Sequence, residues 1–312
     1  MKPICAGAVL YTALAVIFGA IGGLCAEESP TYGPTNGTLI IVGGGSDRGA
    51  GILERFINKA GGVNSKFVII PTGQGNRTAD GQIKIYKEDD VLGVWKMRGL
   101  KNVRMLHTSD RQIANTEEFV KPLREANAVW IDGDKQQDLL DSYSNTLTQR
   151  EFLKLLERGG VIGANAAGAT CLGTYLVRGP DAGPGSAMLS EQSQEAGFAL
   201  LRNCIIDLQV NTCHRWDDLV PVIKSHPDLL GISLSETTAI VVTGDRFEVV
   251  GKWKVAVHDA TRAYHPWERP YYVFSPGDVF NMKTRKIERL GNGTQIPPPL
   301  DPTAQNNDPA AR

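Results

Sequence analysis

The 312-residue sequence carries no surplus of charge: 33 Lys and Arg stand against 34 Asp and Glu, a formal net charge of −1. A nucleic-acid partner needs a concentrated basic face, so that class of function is excluded. Runs of one sign are absent, which excludes a polyacidic or polybasic tail. Cysteine is scarce. Of five, Cys5 and Cys25 lie in the apolar N-terminus, and Cys171, Cys204 and Cys213 remain. Three thiols in a chain of this size are no disulfide framework, although one pair, Cys204–Cys213 being nearest, is open to an oxidising compartment. Cys171 and Cys204 read as buried thiols. There is no Walker A motif, no internal repeat, and no metal-ligand spacing around His226, His258 or His265. No metal and no cofactor is expected.

What is present is a core-forming chain. Hydrophobic residues make up 42% of it, and the length allows one large domain or two small ones. Long apolar runs are limited to one, from Ile4 to Gly23, preceded by Lys2 and closed by Gly23-Leu24-Cys25-Ala26 before Glu27-Glu28. This is the layout of a signal peptide over 1–26, and it predicts a secreted or periplasmic protein of a bacterial-type cell. The run is also long enough to span a bilayer, so an uncleaved N-terminal anchor is the competing expectation; no other membrane contact is predicted.

After a polar lead-in over 27–37, short apolar runs alternate with helical spacing. Strands are predicted at Thr38 to Val42, Phe67 to Ile70, Val103 to Leu106, Ala128 to Ile131 and Val161 to Gly163. Between them lie helical stretches around Ile52 to Ile57, Asp89 to Met97, Glu117 to Ala126 and Gln149 to Glu157. Such alternation means right-handed βαβ units and a mostly parallel sheet covered on both faces. Beyond Ile205 the pattern changes. Ile240 to Val242, Phe247 to Val250 and Trp253 to Val257 read as an antiparallel extension of that same sheet. One domain over 38–290 is expected, with a disordered tail over 291–312 that contains Pro297-Pro298-Pro299.

Two glycine-rich turns carry the functional signal. Gly43-Gly44-Gly45-Ser46-Asp47 joins a strand to a helix but does not complete GxGxxG, because Arg48 stands where the last glycine belongs. Ligands of open α/β sheets bind beyond the carboxyl ends of the strands, so the loops after Val42, Ile70, Ile131 and Ile162 should line one crevice. Gly163-Ala164-Asn165-Ala166-Ala167-Gly168-Ala169 is built of small residues between a strand and a helix. A nucleophile elbow has this layout: the tip residue sits in a strained turn and the next backbone N–H helps to form an oxyanion hole. The tip falls on Ala166, which has no hydroxyl.

At these residues the chain resembles the peptidase E and cyanophycinase family of serine exopeptidases. The family's G-T-S-A-G-A elbow falls on Ala164 to Ala169. Gly43-Gly44-Gly45 is similar to its first glycine turn, Ile70-Pro71-Thr72 to its second strand end, and Ile131-Asp132-Gly133-Asp134 to its G-G-D-Q loop. Leu230-Gly231-Ile232 through Glu236-Thr237-Thr238-Ala239 resembles its G-I-D-E-D-T-A segment. The resemblance spans about residues 38 to 260. It implies a three-layer α/β sandwich, flavodoxin-like or class I glutamine-amidotransferase-like. It also implies an oxyanion hole from the backbone of Gly133, Asp134 and Ala167, and a triad acid at Glu236. Two departures follow from the same alignment. The nucleophile position is Ala166, and the D-Q-H-F segment falls on Asp207 to Val210, so the base position is Gln209. Of the arginines that hold substrate carboxylates, only Arg215 matches, with Cys213 and Asp218 at two other such positions. Asp207 and Arg215 are the expected substrate-binding remnants.

Loss of the Ser or His of such a triad costs on the order of 10⁶ in kcat. The expectation is therefore a non-catalytic homologue that binds an isoaspartyl or acidic peptide, or a protein partner; a homodimer is left open. The alternative is an active hydrolase cleaving β-aspartyl peptides through another nucleophile, such as Cys213, or an activated water. Thr170 and Cys171 lie about one helical turn past the tip. Adjacent residues such as Cys213 and His214 face opposite ways in a strand. His107 follows a strand end. The aromatic-dense segment from Tyr264 to Tyr272 reads as a packed loop, and Asp132 and Asp134 as loop-positioning residues rather than an acid–base pair.

Overall fold

The computed structural model describes residues 31–47, 49–176 and 196–291. The expected signal segment over 1–26 lies outside the described residues, as does the expected tail beyond Gly291. In chain order the elements are β1 (Thr38–Val42), α1 (Ile52–Lys59), β2 (Lys66–Ile70), α2 (Glu88–Met97), β3 (Asn102–Met105), α3 (Glu117–Glu125), β4 (Ala128–Ile131), α4 (Gln136–Tyr143), α5 (Leu147–Glu157), β5 (Val161–Asn165) and α6 (Ala167–Thr170). Then come β6 (Cys204–Leu208), α7 (Leu219–Ser225), β7 (Leu230–Leu234), β8 (Thr238–Thr243), β9 (Arg246–Gly251), β10 (Val255–His258), β11 (Tyr272–Phe274), β12 (Val279–Asn281) and β13 (Lys286–Arg289).

A nine-stranded sheet runs in the order β13-β12-β9-β8-β1-β5-β4-β2-β3. Its β1-β5-β4-β2-β3 half is parallel, as the βαβ alternation predicts. β1, β4 and β5 are buried on both faces, which is why they read as unbroken apolar runs, whereas β3 at the sheet edge is not. Alternation still decides which core each side chain joins. Ile40 and Val42 of β1 pack with Ile52, Phe56 and Ile57 of α1 and Leu92 and Trp95 of α2. Leu39 and Ile41 face the other layer, with Val120 and Leu123 of α3 and Phe152 and Leu155 of α5.

The C-terminal third departs from the expected single sheet. β8 and β9 do extend the main sheet antiparallel from β1. β10 instead belongs to a second, four-stranded sheet, β11-β10-β7-β6. β9 has its free edge covered by β12, and the turn after Gly251 carries the chain across to pair Val257 with Ile232 of β7. Alternate residues of this sheet, Ile206, Ile232, Leu234 and Val255, join the core beneath the main sheet. Ile205 faces outward onto Leu219 and Ile223 of α7. The second sheet thus closes the part of the face that α3 and α5 leave uncovered. Residues of the lead-in also pack: Tyr32 is buried, its N–H donates to Asp245 Oδ1 at 2.8 Å, and Gly33 N–H donates to the Gly244 carbonyl at 3.1 Å.

The α1/α2 core centres on an aromatic cluster. Trp130 meets Phe56 edge-on at 5.0 Å and Trp95 at 5.4 Å between ring centroids. Gly163 on β5 is what admits the Trp130 ring, since a Cβ there would fall 2.3 Å from Trp130 Cε3. Overpacking of this kind costs about 1–3 kcal/mol. Gly163→Ala is expected to lower unfolding stability by that amount in urea titration; an unchanged midpoint and slope would contradict the packing.

Candidate functional site

The site forms where the carboxyl ends of β1, β4 and β5 meet the loops after β6 and β7. The glycine turn makes the meeting close. A Cβ on Gly43 would lie 2.1 Å from the Ser235 carbonyl oxygen, one on Gly44 3.1 Å from Gln209 Nε2, and one on Gly45 3.0 Å from Glu236 Cβ. Three backbone bonds fix the arrangement. Gly43 N–H donates to Thr238 O at 2.9 Å, Gln209 N–H to Gly43 O at 3.2 Å, and Thr237 N–H to Gly44 O at 2.8 Å. Gln209 and Glu236, distant in sequence, are thereby set against one three-residue turn. Glu236 N–H is held by Asn211 Oδ1 at 2.8 Å. Its carboxylate has no hydrogen-bond or ionic partner among the described residues.

The strand-to-helix turn after β5 has the geometry its small residues predict. Ala166 has φ 50° and ψ −131°, a backbone conformation rare for any residue but glycine. Its carbonyl caps α6 by accepting from Ala169 N–H at 2.8 Å, and its methyl is buried. Gly168 N–H donates to Gly133 O at 3.3 Å, which ties the turn to the loop after β4. None of the N–H groups of Gly133, Asp134 and Ala167 donates a hydrogen bond among the described residues. These three N–H groups are thus open to an acceptor, and the tip of the turn carries only a methyl group.

Other sequence-singled residues fall elsewhere. Thr170 Oγ1 donates to Ala167 O at 2.8 Å, and Cys171 is fully buried with its thiol toward Gln136 O at 3.7 Å; neither reaches the tip. Cys204 and Cys213 do not pair with each other in this structure. Cys213 Sγ meets Thr212 Oγ1 at 4.0 Å and forms no hydrogen bond with His214. Asp207 and Arg215 are brought together, but with each other: both are buried, Arg215 Nη2 lies 3.6 Å from Asp207 Oδ1, and it also donates to Leu208 O at 2.5 Å. A role for Arg215 in holding a ligand requires that pair to open. Asp132 is a positioning residue, accepting from Asn165 Nδ2 at 3.1 Å and Gln74 Nε2 at 3.2 Å. In the aromatic segment Tyr271 is buried, while Trp267 is exposed and stacked on His265 at 4.5 Å.

Two hydroxyl–imidazole pairs escaped the sequence analysis, because their members are far apart in the chain. Thr72 Oγ1 lies 2.9 Å from His107 Nδ1 and 2.6 Å from Tyr143 Oη. Ser233 Oγ lies 3.0 Å from His258 Nε2. Thr72, Ser233 and His258 are inaccessible, at 0%, 0% and 1% exposure, so neither pair presents a hydroxyl to a substrate. Among the described residues no group of three or more His, Cys, Asp or Glu could hold a metal ion, and no helix is long and apolar enough to cross a membrane.

A cleft of about 200 Å³ opens beside the glycine turn, lined by residues following β1 and β4 and by Asn165 at the end of β5. The expected crevice is thus present for three of the four loops. The loop after Ile70 stands behind it, touching it through the Gln74–Asp132 bond.

Residues 39–250 match the model of peptidase family S51. The chain is 25% identical over 268 residues to a cyanophycinase of Geminocystis herdmanii, covering 80% of this chain and 95% of that protein. It is 26% identical over 265 residues to a cyanophycinase of a Nostoc species, covering 82% and 85%. Among solved structures, a peptidase from an acI-B1 Actinobacterium superposes with a TM-score of 0.60 at 22% identity, covering 80% of this chain and 98% of that one. That likeness bears on the fold, an α/β sandwich.

Two predictions follow from the geometry. The turn at Ala166 stores strain of about 1–3 kcal/mol, so Ala166→Gly is expected to raise unfolding stability by on the order of 1 kcal/mol; a loss of stability would contradict a strained tip. Burial pushes the His258 imidazole down to about 3. The folded state keeps it neutral while the unfolded chain takes up a proton below about 6.5, so stability falls as pH drops from there toward 3. Between pH 7 and pH 5 this group alone removes about 2 kcal/mol, and His258→Gln is expected to flatten the slope in denaturation measured across that window.

Proposed function

Because the chain belongs to peptidase family S51, we propose that it is a cyanophycinase-like peptidase by descent that no longer hydrolyses. On this reading it binds an isoaspartyl or acidic peptide, or a protein partner, without cutting it. The observation that carries the proposal is the tip of the elbow: Ala166 keeps φ 50° and offers no oxygen. Gln209 supports it, because an amide at the base position cannot take up and return a proton near neutral pH. Glu236 is retained at the acid position, where its task is to orient an imidazole, and no histidine is bonded to it among the described residues. The unpaired N–H groups of Gly133, Asp134 and Ala167 support a remaining capacity to hold a carbonyl or carboxylate oxygen.

The apolar run ahead of the domain supports export from the cell, by a cleaved signal or with an anchor retained. The alternative of an active enzyme working through Cys213 finds little support, since no imidazole is bonded to that thiol among the described residues.

The purified protein is expected to release no product from β-aspartyl-arginine while binding a β-aspartyl peptide saturably in calorimetry. The double variant Ala166→Ser with Gln209→His is expected to gain measurable hydrolysis. Wild-type turnover that disappears in Glu236→Ala would overturn the proposal.

A further inference from the structure

The nine-stranded sheet ends at β3, which pairs with β2 on one side only. The ladder tells which of its backbone groups face outward. Lys66 O and Ile70 O accept from Asn127 N–H and Asp132 N–H on the β4 side, whereas Ile69 O accepts from Leu106 N–H on the β3 side. Backbone groups of successive strand residues turn to opposite sides. Arg104 and Leu106 therefore bond inward to β2, and the N–H and C=O groups of Val103 and Met105 point out from the edge.

Side chains alternate as well. Val103 and Met105 are half-buried against the α1/α2 core. Asn102 and Arg104 are exposed on the opposite face, the one that α3 covers. α3 packs on β2, and a groove of about 260 Å³ remains between its Pro122 and Glu125 and the β3 edge. Lys66, Lys101 and Arg104 line this groove against the one carboxylate of Glu125. Lys66 Nζ lies 3.5 Å from Glu125 Oε2, so Lys101 and Arg104 are its excess charge. The groove and its sequence neighbours lie within residues 49–176, every one of which is described.

An open strand edge is a template for another strand, and charge decides which one. A second copy pairing edge to edge would set two groups of Lys66, Lys101 and Arg104 along one seam, where like charges oppose each other. An acidic strand meets the opposite sign. We propose that β3 takes up an extended acidic peptide as a tenth strand. Its backbone pairs with Val103 and Met105, and its acidic side chains lie on the face of Asn102 and Arg104. Its alternate side chains lie beside Val103 and Met105, so the favoured pattern is acidic and apolar residues in turn. The added strand runs about 4.8 Å outside β3, which puts Arg104 within reach of an acid opposite it. An isoaspartyl link lengthens the backbone and breaks the period of two, so the ligand is an α-linked peptide. The site is separate from the elbow, which stands beyond the carboxyl ends of β4 and β5.

The capped peptide Thr-Glu-Val-Glu-Val-Glu-Thr tests it by calorimetry and amide hydrogen exchange on the whole protein. Saturable binding is expected, with new protection at the Val103 and Met105 amides. The Gln-for-Glu peptide is expected to bind about tenfold more weakly or less, the worth of a charge-assisted hydrogen bond. Methylation of the peptide's backbone nitrogens, which leaves its charges in place, is expected to abolish binding. Arg104→Glu, at an exposed position, is expected to lower affinity about tenfold or more in a protein with unaltered circular dichroism. The Lys101→Glu, Arg104→Glu variant is expected to prefer the Lys-for-Glu peptide. No binding, equal binding of the Gln peptide or of the methylated peptide, or undiminished binding by Arg104→Glu overturns the proposal. A dimer in ultracentrifugation that the peptide dissociates would give the edge to a second copy and also overturns it. β-Aspartyl-arginine is the competitor that separates this site from the elbow: no displacement is expected, and displacement would place the peptide in the crevice instead.

Discussion

The two sheets meet where the backbone of Gly43 lies against the carbonyl of Ser235, closer than any side chain would permit. The rest of the site depends on that approach. It lets the loops after β6 and β7 close onto the end of β1, and it brings Gln209 and Glu236 to Gly44 and Gly45. A larger residue at Gly43 would separate the loops from the elbow. The constraint is steric and does not require that the site be reactive.

The elbow shows the same separation of scaffold from reaction. A serine in this turn gains reactivity because a strained backbone presents its oxygen beside an oxyanion hole. Here the strain remains at Ala166 and the attacking atom is absent. Strain of this kind persists only where the surroundings over-determine it. The surroundings are visible: Ala166 O caps α6, and Gly168 N–H binds the Gly133 carbonyl. Those bonds hold the N–H groups of the loop in place whether or not a nucleophile stands between them. The tip thus carries no atom able to attack, while the neighbouring N–H groups have no acceptor among the described residues, which is why binding is the function proposed.

Four of the first five strands were legible because parallel strands buried on both faces are continuous apolar runs, β3 at the sheet edge being the exception, and the elbow because only small residues fit its turn. The same continuity hid other features. When both faces are apolar, alternation is invisible in the sequence, so Trp130 and Asp132 could not be assigned to the face they share with Trp95 of α2. The second sheet was missed because β10 follows two antiparallel strands and reads as a third; only the covered edge of β9 sends it to β7. Asp207 and Arg215 show a further limit. Residue type identifies a buried carboxylate and a guanidinium, but not whether they serve a ligand or each other, and the fold places them 3.6 Å apart. Thr72 and His107 come together only because β2 and β3 are neighbours in the sheet.

The central claim is that no activated oxygen stands at the tip of the elbow. Intact mass after incubation with a serine-directed fluorophosphonate tests it most directly, with the Ala166→Ser, Gln209→His variant as the comparison. An unmodified wild-type mass beside a single adduct on the variant is the predicted result. A stoichiometric adduct on the wild-type protein would contradict the account.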